Sequence, residues 1–176
     1  GEKAGFEAYH LLPADALLEE RVRILQEITL ACSFTKNKEI LNYLHEYESV
    51  LDELSHDQYE EKLNERGYLL IEALYADYYL DMNDLDKVRI HLKKMDQYYS
   101  PSSFMTYKGL YHNAYSRYYQ ITKEYDKALA HSQKTIEFLS DLSDDGGLNY
   151  RIRYAGILAD MGQIDESVSL FKNLLA

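Results

Sequence analysis

Apolar residues recur along the chain at three- and four-residue steps, while the strict alternation of a half-buried strand is scarce. Pro13 precedes ADALLEERVRILQEITLACSF, which predicts a helix over 14–34 with proline in its first turn. After TKN, the stretch KEILNYLHEYESVLDEL predicts a second helix. Ser55 and Gln58 have capping-box spacing ahead of a third, over 58–81. MND interrupts it, and LDKVRIHLKKMDQYY makes a fourth. Ser100-Pro101 reads as a start signal for the fifth, which carries YKGLYHNAYSRYYQ: an N-cap hydroxyl followed by proline at the first helical position. YDKALAHSQKTIEFLSDL is the sixth, SDDGG breaks it, and helices over 148–161 and 164–175 flank Gly162.

The helix pairs repeat. MNDLDKVRIHLKKM, TKEYDKALAHSQKT and MGQIDESVSLFKNL align on their turns, with Leu85, Tyr125 and Ile164 in equivalent places, 40 and then 39 residues apart. Val88, Ala128 and Ser167 follow three residues later, then Leu92, Ser132 and Phe171, then Met95, Thr135 and Leu174. Upstream, Tyr75, Tyr115 and Tyr154 align, each followed by a small residue: Ala76, Ser116 and Ala155. A large residue beside a small one lets a second helix cross closely, and the small residue after the turn receives the first helix's bulk.

GQIDESVSLFKNLL and KEYDKALAHSQKTI resemble the second-helix half of a tetratricopeptide repeat, and the resemblance covers residues 66–176, about three repeats. The family's first-helix tryptophan is absent; Glu72, His112 and Arg151 stand there. The period is also longer than the family's usual ~34 residues. The resemblance implies a right-handed superhelical solenoid of antiparallel helix pairs in one domain, 1–176. Residues 14–54 would be a degenerate pair or cap, and the repeats would lie over 58–99, 100–142 and 147–176.

Charge narrows the partners. Thirty acidic residues against nineteen basic ones give a net charge of −11, a field that repels phosphate backbones and anionic lipid. A protein or peptide is the expected partner, not nucleic acid or a membrane surface. The one cysteine, Cys32, lies in an apolar run and reads as core. No stretch reaches the ~20 apolar residues of a membrane span.

Enzymatic signatures are missing: there is no glycine-rich phosphate loop, GxSxG or CxxC. The six histidines form no i, i+4 pair; His91 and His131 sit beside lysines and are expected to be solvated, and His112 borders the tyrosines. Asp81–Asp86 resembles the start of a calcium loop but has Asp where the sharp turn needs Gly, and Leu92 where Glu should close it. No catalysis, metal or cofactor is therefore expected.

What is left is surface. In stacked helix pairs the first helices line the concave face, and the register points Asp77, Asp81, Asn113, Arg117, Gln120, Asn149 and Asp160 into it. Amide and guanidinium donors there suit a peptide backbone or carboxylate. Asp77 departs from the family's carboxylate clamp, which argues against chaperone C-terminal tails. The run RYAGILADMGQIDESVSLFKNLL is similar to tetratricopeptide sensory regions of Bacteroidetes two-component sensor histidine kinases. That implies an interaction or sensory module of signal transduction, periplasmic if part of a membrane sensor and cytoplasmic otherwise. The rival readings are a peptide-pheromone-binding domain of a quorum-sensing regulator and a plain assembly scaffold. The chain ends without a polar capping helix, so a further element or a second copy is expected to cover its last apolar face.

Overall fold

The computed structural model describes residues 9, 11–12, 17–35, 39–54, 61–101, 103–142 and 147–174. Among them are eight α-helices and no strand. They are α1 Leu18–Thr35, α2 Ile40–Leu54, α3 Glu61–Asp81, α4 Leu85–Tyr98, α5 Met105–Ile121, α6 Tyr125–Leu139, α7 Leu148–Asp160 and α8 Ile164–Leu174, with a 3₁₀ turn over Ser140–Leu142. The chain is all-α. The Pro13 start, the capping pair Ser55 and Gln58, and residues 143–146 lie outside the described residues. The helices fall into two compact units, Gly1–Tyr98 and Tyr99–Ala176.

One predicted boundary moves. Ser100-Pro101 does not open α5, which begins at Met105 with Phe104 as its N-cap residue. Instead the Ser103 N–H donates to the Ser100 carbonyl (2.9 Å), and the Ser100 N–H donates to the Ser103 hydroxyl (3.3 Å). Proline suits the second position of such a turn as well as the first position of a helix. The local hydrogen bonds close a turn before the helix starts.

In the first unit α1 packs on α2 and α3, α2 on α3, and α3 on α4. From Leu69 to Ala76 every residue of α3 is buried, charged Glu72 included. Burial on all sides marks α3 as the central helix of its unit. Leu25, Ile28 and Cys32 of α1, Leu44, Tyr47 and Leu51 of α2, and Val88, Leu92 and Met95 of α4 complete the core. Cys32 is thus a core residue, as its apolar run predicts.

The second unit is packed differently. Helix α5 packs on α6, α6 on α7, and α7 on α8. Its buried apolar residues are few and half of them are alanine (Ala114, Ala128 and Ala155, with Leu139, Ile157 and Leu158), and they share the interior with His112, Asn113, Ser116, Ser132, Thr135 and Ser167. Small residues let the helices touch backbone to side chain. The Ser116 hydroxyl donates to the Ala128 carbonyl at 3.0 Å, and the Ser167 hydroxyl to the Ala155 carbonyl at 2.7 Å. Serine and alanine exchange places between the two crossings, yet each bond spans twelve residues.

The turns repeat as well. Asn83, Lys123 and Gly162 all have positive φ (56°, 62° and 84°). The next residue in each turn, Asp84, Glu124 and Gln163, donates its N–H five residues back, to Tyr79, Tyr119 and Leu158, at 2.8–2.9 Å. Asn83, Lys123 and Gly162 donate three residues back at 2.9–3.1 Å. This Schellman pattern satisfies the last carbonyls of each first helix and reverses the chain. Three turns 40 and 39 residues apart therefore share one hydrogen-bonding scheme, although only one carries glycine.

Candidate functional site

In the first two of these hairpins, a polar side chain on the first helix meets a histidine on the second, nineteen residues on. In the α3–α4 hairpin Glu72 accepts from His91 Nδ1 at 2.6 Å and from Lys94 Nζ at 3.0 Å. In the α5–α6 hairpin His112 Nδ1 lies 3.0 Å from His131 Nδ1. The expectation that His91 and His131 are solvated is corrected: both are partly buried and ringed by aromatic side chains. Their lysine neighbours had suggested a wet face, but both imidazoles turn inward onto the first helix of their hairpin, at Glu72 and His112. Arg151, the third residue at that position, is exposed.

The tyrosines pack over these pairs in equivalent ways. His91 stacks on Tyr75 (4.6 Å between centroids) and Tyr79 (5.4 Å). His131 meets Tyr115 (5.2 Å) and Tyr119 (5.6 Å). Lys87 sits 4.7 Å from the Tyr79 ring centre, and Lys127 sits 5.1 Å from that of Tyr119. In the second unit the stack continues from Tyr115 through Tyr111 to Tyr99. The stripe YKGLYHNAYSRYYQ is therefore mainly packing, with its rings half-buried. Burial raises the Tyr75 phenol well above its usual range, with Glu48 and Glu72 adding to the effect. Its oxygen lies 2.8 Å from His45 Nδ1.

Both imidazoles of the α5–α6 hairpin are shifted. Burial lowers the His112 imidazole from 6.5 to about 4, with His131 and Lys134 contributing. His131 is lowered too, by burial first and Lys134 second. A desolvated base beside other cations resists a proton.

The first-helix face was expected to present donors to a ligand. In the second unit Asn113, Arg117 and Gln120 do share one face of α5, at i, i+4 and i+7. Two of them are engaged by the neighbouring first helix: Arg153 of α7 donates to the Asn113 side-chain oxygen, and the Gln120 amide donates to Asp160 at 2.8 Å. Both bonds span forty residues and tie α5 to α7. Asn113 is buried, Arg117 half-buried and Asn149 exposed. In the first unit Asp77 is half-buried and Asp81 exposed. Arg117, Asp77 and Asp81 each have an interaction of their own.

Beside this face, residues 123–127 of the α5–α6 turn, with Asp160 and Met161, border an open groove of about 410 Å³. Lys127 and Glu124, both in its lining, form an ion pair at 2.6 Å. Among the described residues no cluster of three His, Cys, Asp or Glu side chains is arranged to hold a metal ion. No described helix is long and apolar enough to cross a membrane. No protein-family model, no curated protein and no solved structure matches this chain.

Proposed function

We propose that this chain is a non-catalytic module that binds protein or peptide, built as a right-handed solenoid of tetratricopeptide-like helix pairs. It would serve as the sensory or interaction region of a signal-transduction protein such as a two-component sensor kinase. The observation that carries this reading is the recurrence of one hairpin: the same turn hydrogen bonds at three places and the same twelve-residue serine–alanine crossing at two. Stacked hairpins of this kind offer extended surfaces instead of enclosed cavities. The described histidines support a binding role over a catalytic one, since they pair with each other, with Glu72 and with Tyr75. Each unit offers the outward side of its own first helices, with Asp81 as polar contact in the first unit and Arg117 and Asn149 in the second. The net charge of −11 favours a neutral or basic segment as partner.

The test is peptide-display selection on the purified chain, followed by calorimetry on the enriched peptides with wild type, Asp81→Ala and Arg117→Ala. Loss of a charged contact costs about 1.5–3 kcal/mol, so affinity falls at least about tenfold with the melting temperature held. Peptides whose affinity neither substitution changes would contradict the assignment of the face. A second reading, self-association through the last hairpin, draws on α8, which leaves Ile164 (54%) and Val168 (43%) exposed. It predicts a mass that rises with concentration in light scattering and falls back to one chain in Val168→Glu.

A further inference from the structure

Glu72, His91 and Lys94 lie at the positions of one hairpin that His112, His131 and Lys134 occupy in another, each forty residues on. One side chain differs between the two sets, and it changes what a proton does. The Glu72–His91 pair holds in either protonation state of the imidazole and becomes a charge-assisted bond when His91 is protonated. The His112–His131 pair holds only while one of the two Nδ1 atoms keeps its lone pair. Two Nδ1 atoms 3.0 Å apart need one N–H and one lone pair, so one ring is the Nδ1–H tautomer and the other the Nε2–H tautomer. With both rings protonated, two N–H groups and two positive charges face each other.

The surroundings give that charge nowhere to go. His112 is 5% exposed. Tyr99, Tyr111 and Phe138 contact the His112 ring, and Tyr111, Tyr115 and Tyr119 contact that of His131. Lys134 on α6 acts on both rings, Lys108 on α5 lies 5.6 Å from the Phe138 ring centre, and Arg153 on α7 is bonded to Asn113 beside His112. Among the described residues no carboxylate bonds either imidazole. Lys134, unlike Lys94, has no buried glutamate to reach.

We propose that the His112–His131 pair is an acid-released latch: mild acid loosens α5 from α6, while the α3–α4 hairpin, closed by Glu72 and His91, stays shut. The proton-linked change is selective for one hairpin because the equivalent carboxylate is present in one and replaced in the other. This device does not depend on the binding reading and would operate in a scaffold as well.

The sign follows from the lowered imidazole. Between pH 6.5 and about 4 the unfolded chain binds a proton at this position and the folded chain does not, so stability is lost as pH falls. From pH 7 to 4.5, His112 alone raises the opening equilibrium roughly 50-fold. Amide hydrogen exchange, corrected for intrinsic rates, reads this helix by helix. Wild type is expected to lose roughly 50-fold protection along α5 and α6, and His112→Glu, which gives this hairpin the same set as Glu72, His91 and Lys94, to lose less than about a tenth of that. An equal loss in the variant, or no selective loss in wild type, overturns the proposal. Should His112→Glu not fold, the reciprocal Glu72→His carries the test: acid sensitivity should then appear in α3 and α4, and its failure to appear there overturns the proposal equally.

Discussion

Gly109 tests the α5–α6 crossing. A Cβ built at this position would lie 2.2 Å from Leu139 Cγ and 2.4 and 2.7 Å from its two Cδ atoms. Carbon atoms in contact prefer about 3.5–4.0 Å, and all three branch atoms of a buried leucine stand in the way. On helix propensity alone, Gly109→Ala should stabilise α5 by about 1 kcal/mol. Overpacking of a closed contact costs about 1–3 kcal/mol, so the expected result is net destabilisation of up to about 2 kcal/mol. Leu139 is 5% exposed, and Leu139→Ala by itself should cost about 2–5 kcal/mol through the lost transfer energy and the cavity. In the double variant the new methyl fills part of that cavity and meets no clash. The two costs should then fall short of additivity by about 1–3 kcal/mol. Urea unfolding followed by far-ultraviolet circular dichroism measures all four corners of the cycle, with an unchanged m-value confirming that the shifts report stability. A Gly109→Ala variant stabilised by the propensity gain, or a strictly additive cycle, would refute the close crossing.

The turns give two opposite signs. Lys123 is exposed and left-handed, so Lys123→Gly should add about 1 kcal/mol and raise the melting temperature by a few degrees in calorimetry. Gly162→Ala, at the equivalent place, should remove about the same amount although nothing lies within 4 Å of the added methyl. Asp160→Ala breaks a bond at an exposed position and should cost less than about 1 kcal/mol in the same urea assay, since one such tie between first helices contributes little. A change in ligand affinity without a change in stability in Arg117→Ala separates recognition from packing on the α5 face.

Much of the architecture was legible because it lies in local signals. The breaks at MND, TKE and MGQ fall on Asn83, Lys123 and Gly162, the positive-φ residues of the three repeated turns. Asn83 and Gly162 are usual left-handed residues and announce themselves, whereas Lys123 becomes readable only through alignment with them. Ala128 and Ser167 could be placed at crossings because a small residue beside large ones has a physical reason to recur. The polar interior was not legible in the same way. His91 and His131 were assigned to solvent from their lysine neighbours, since a periodicity argument sees one helix at a time and the pairing crosses a hairpin. A signal did exist: Glu72 and His112 lie forty residues apart at equivalent positions of the aligned pairs, and each has a histidine nineteen residues later. Asn113, Arg117 and Gln120 are legible as one face of α5 from their spacing, but the side-chain partners of Asn113 and Gln120 are not. Their partners, Arg153 and Asp160, lie one repeat away, where period alone does not say which side chains meet. The Ser100-Pro101 signal was ambiguous in kind, because a turn and a helix start use the same two residues.

The repeated register is the claim on which the hairpins, the latch and the proposed surface all rest, and Ala128 tests it most directly. Ala128 is fully buried and its carbonyl accepts the Ser116 hydroxyl, while Ala130, two residues on, is exposed. The account predicts that Ala128→Trp unfolds the second unit, seen as loss of helical dichroism and of amide protection along α5 and α6, while Ala130→Trp leaves both near wild type. A folded, normally protected Ala128→Trp, or an Ala130→Trp that is the more damaging of the two, would contradict it.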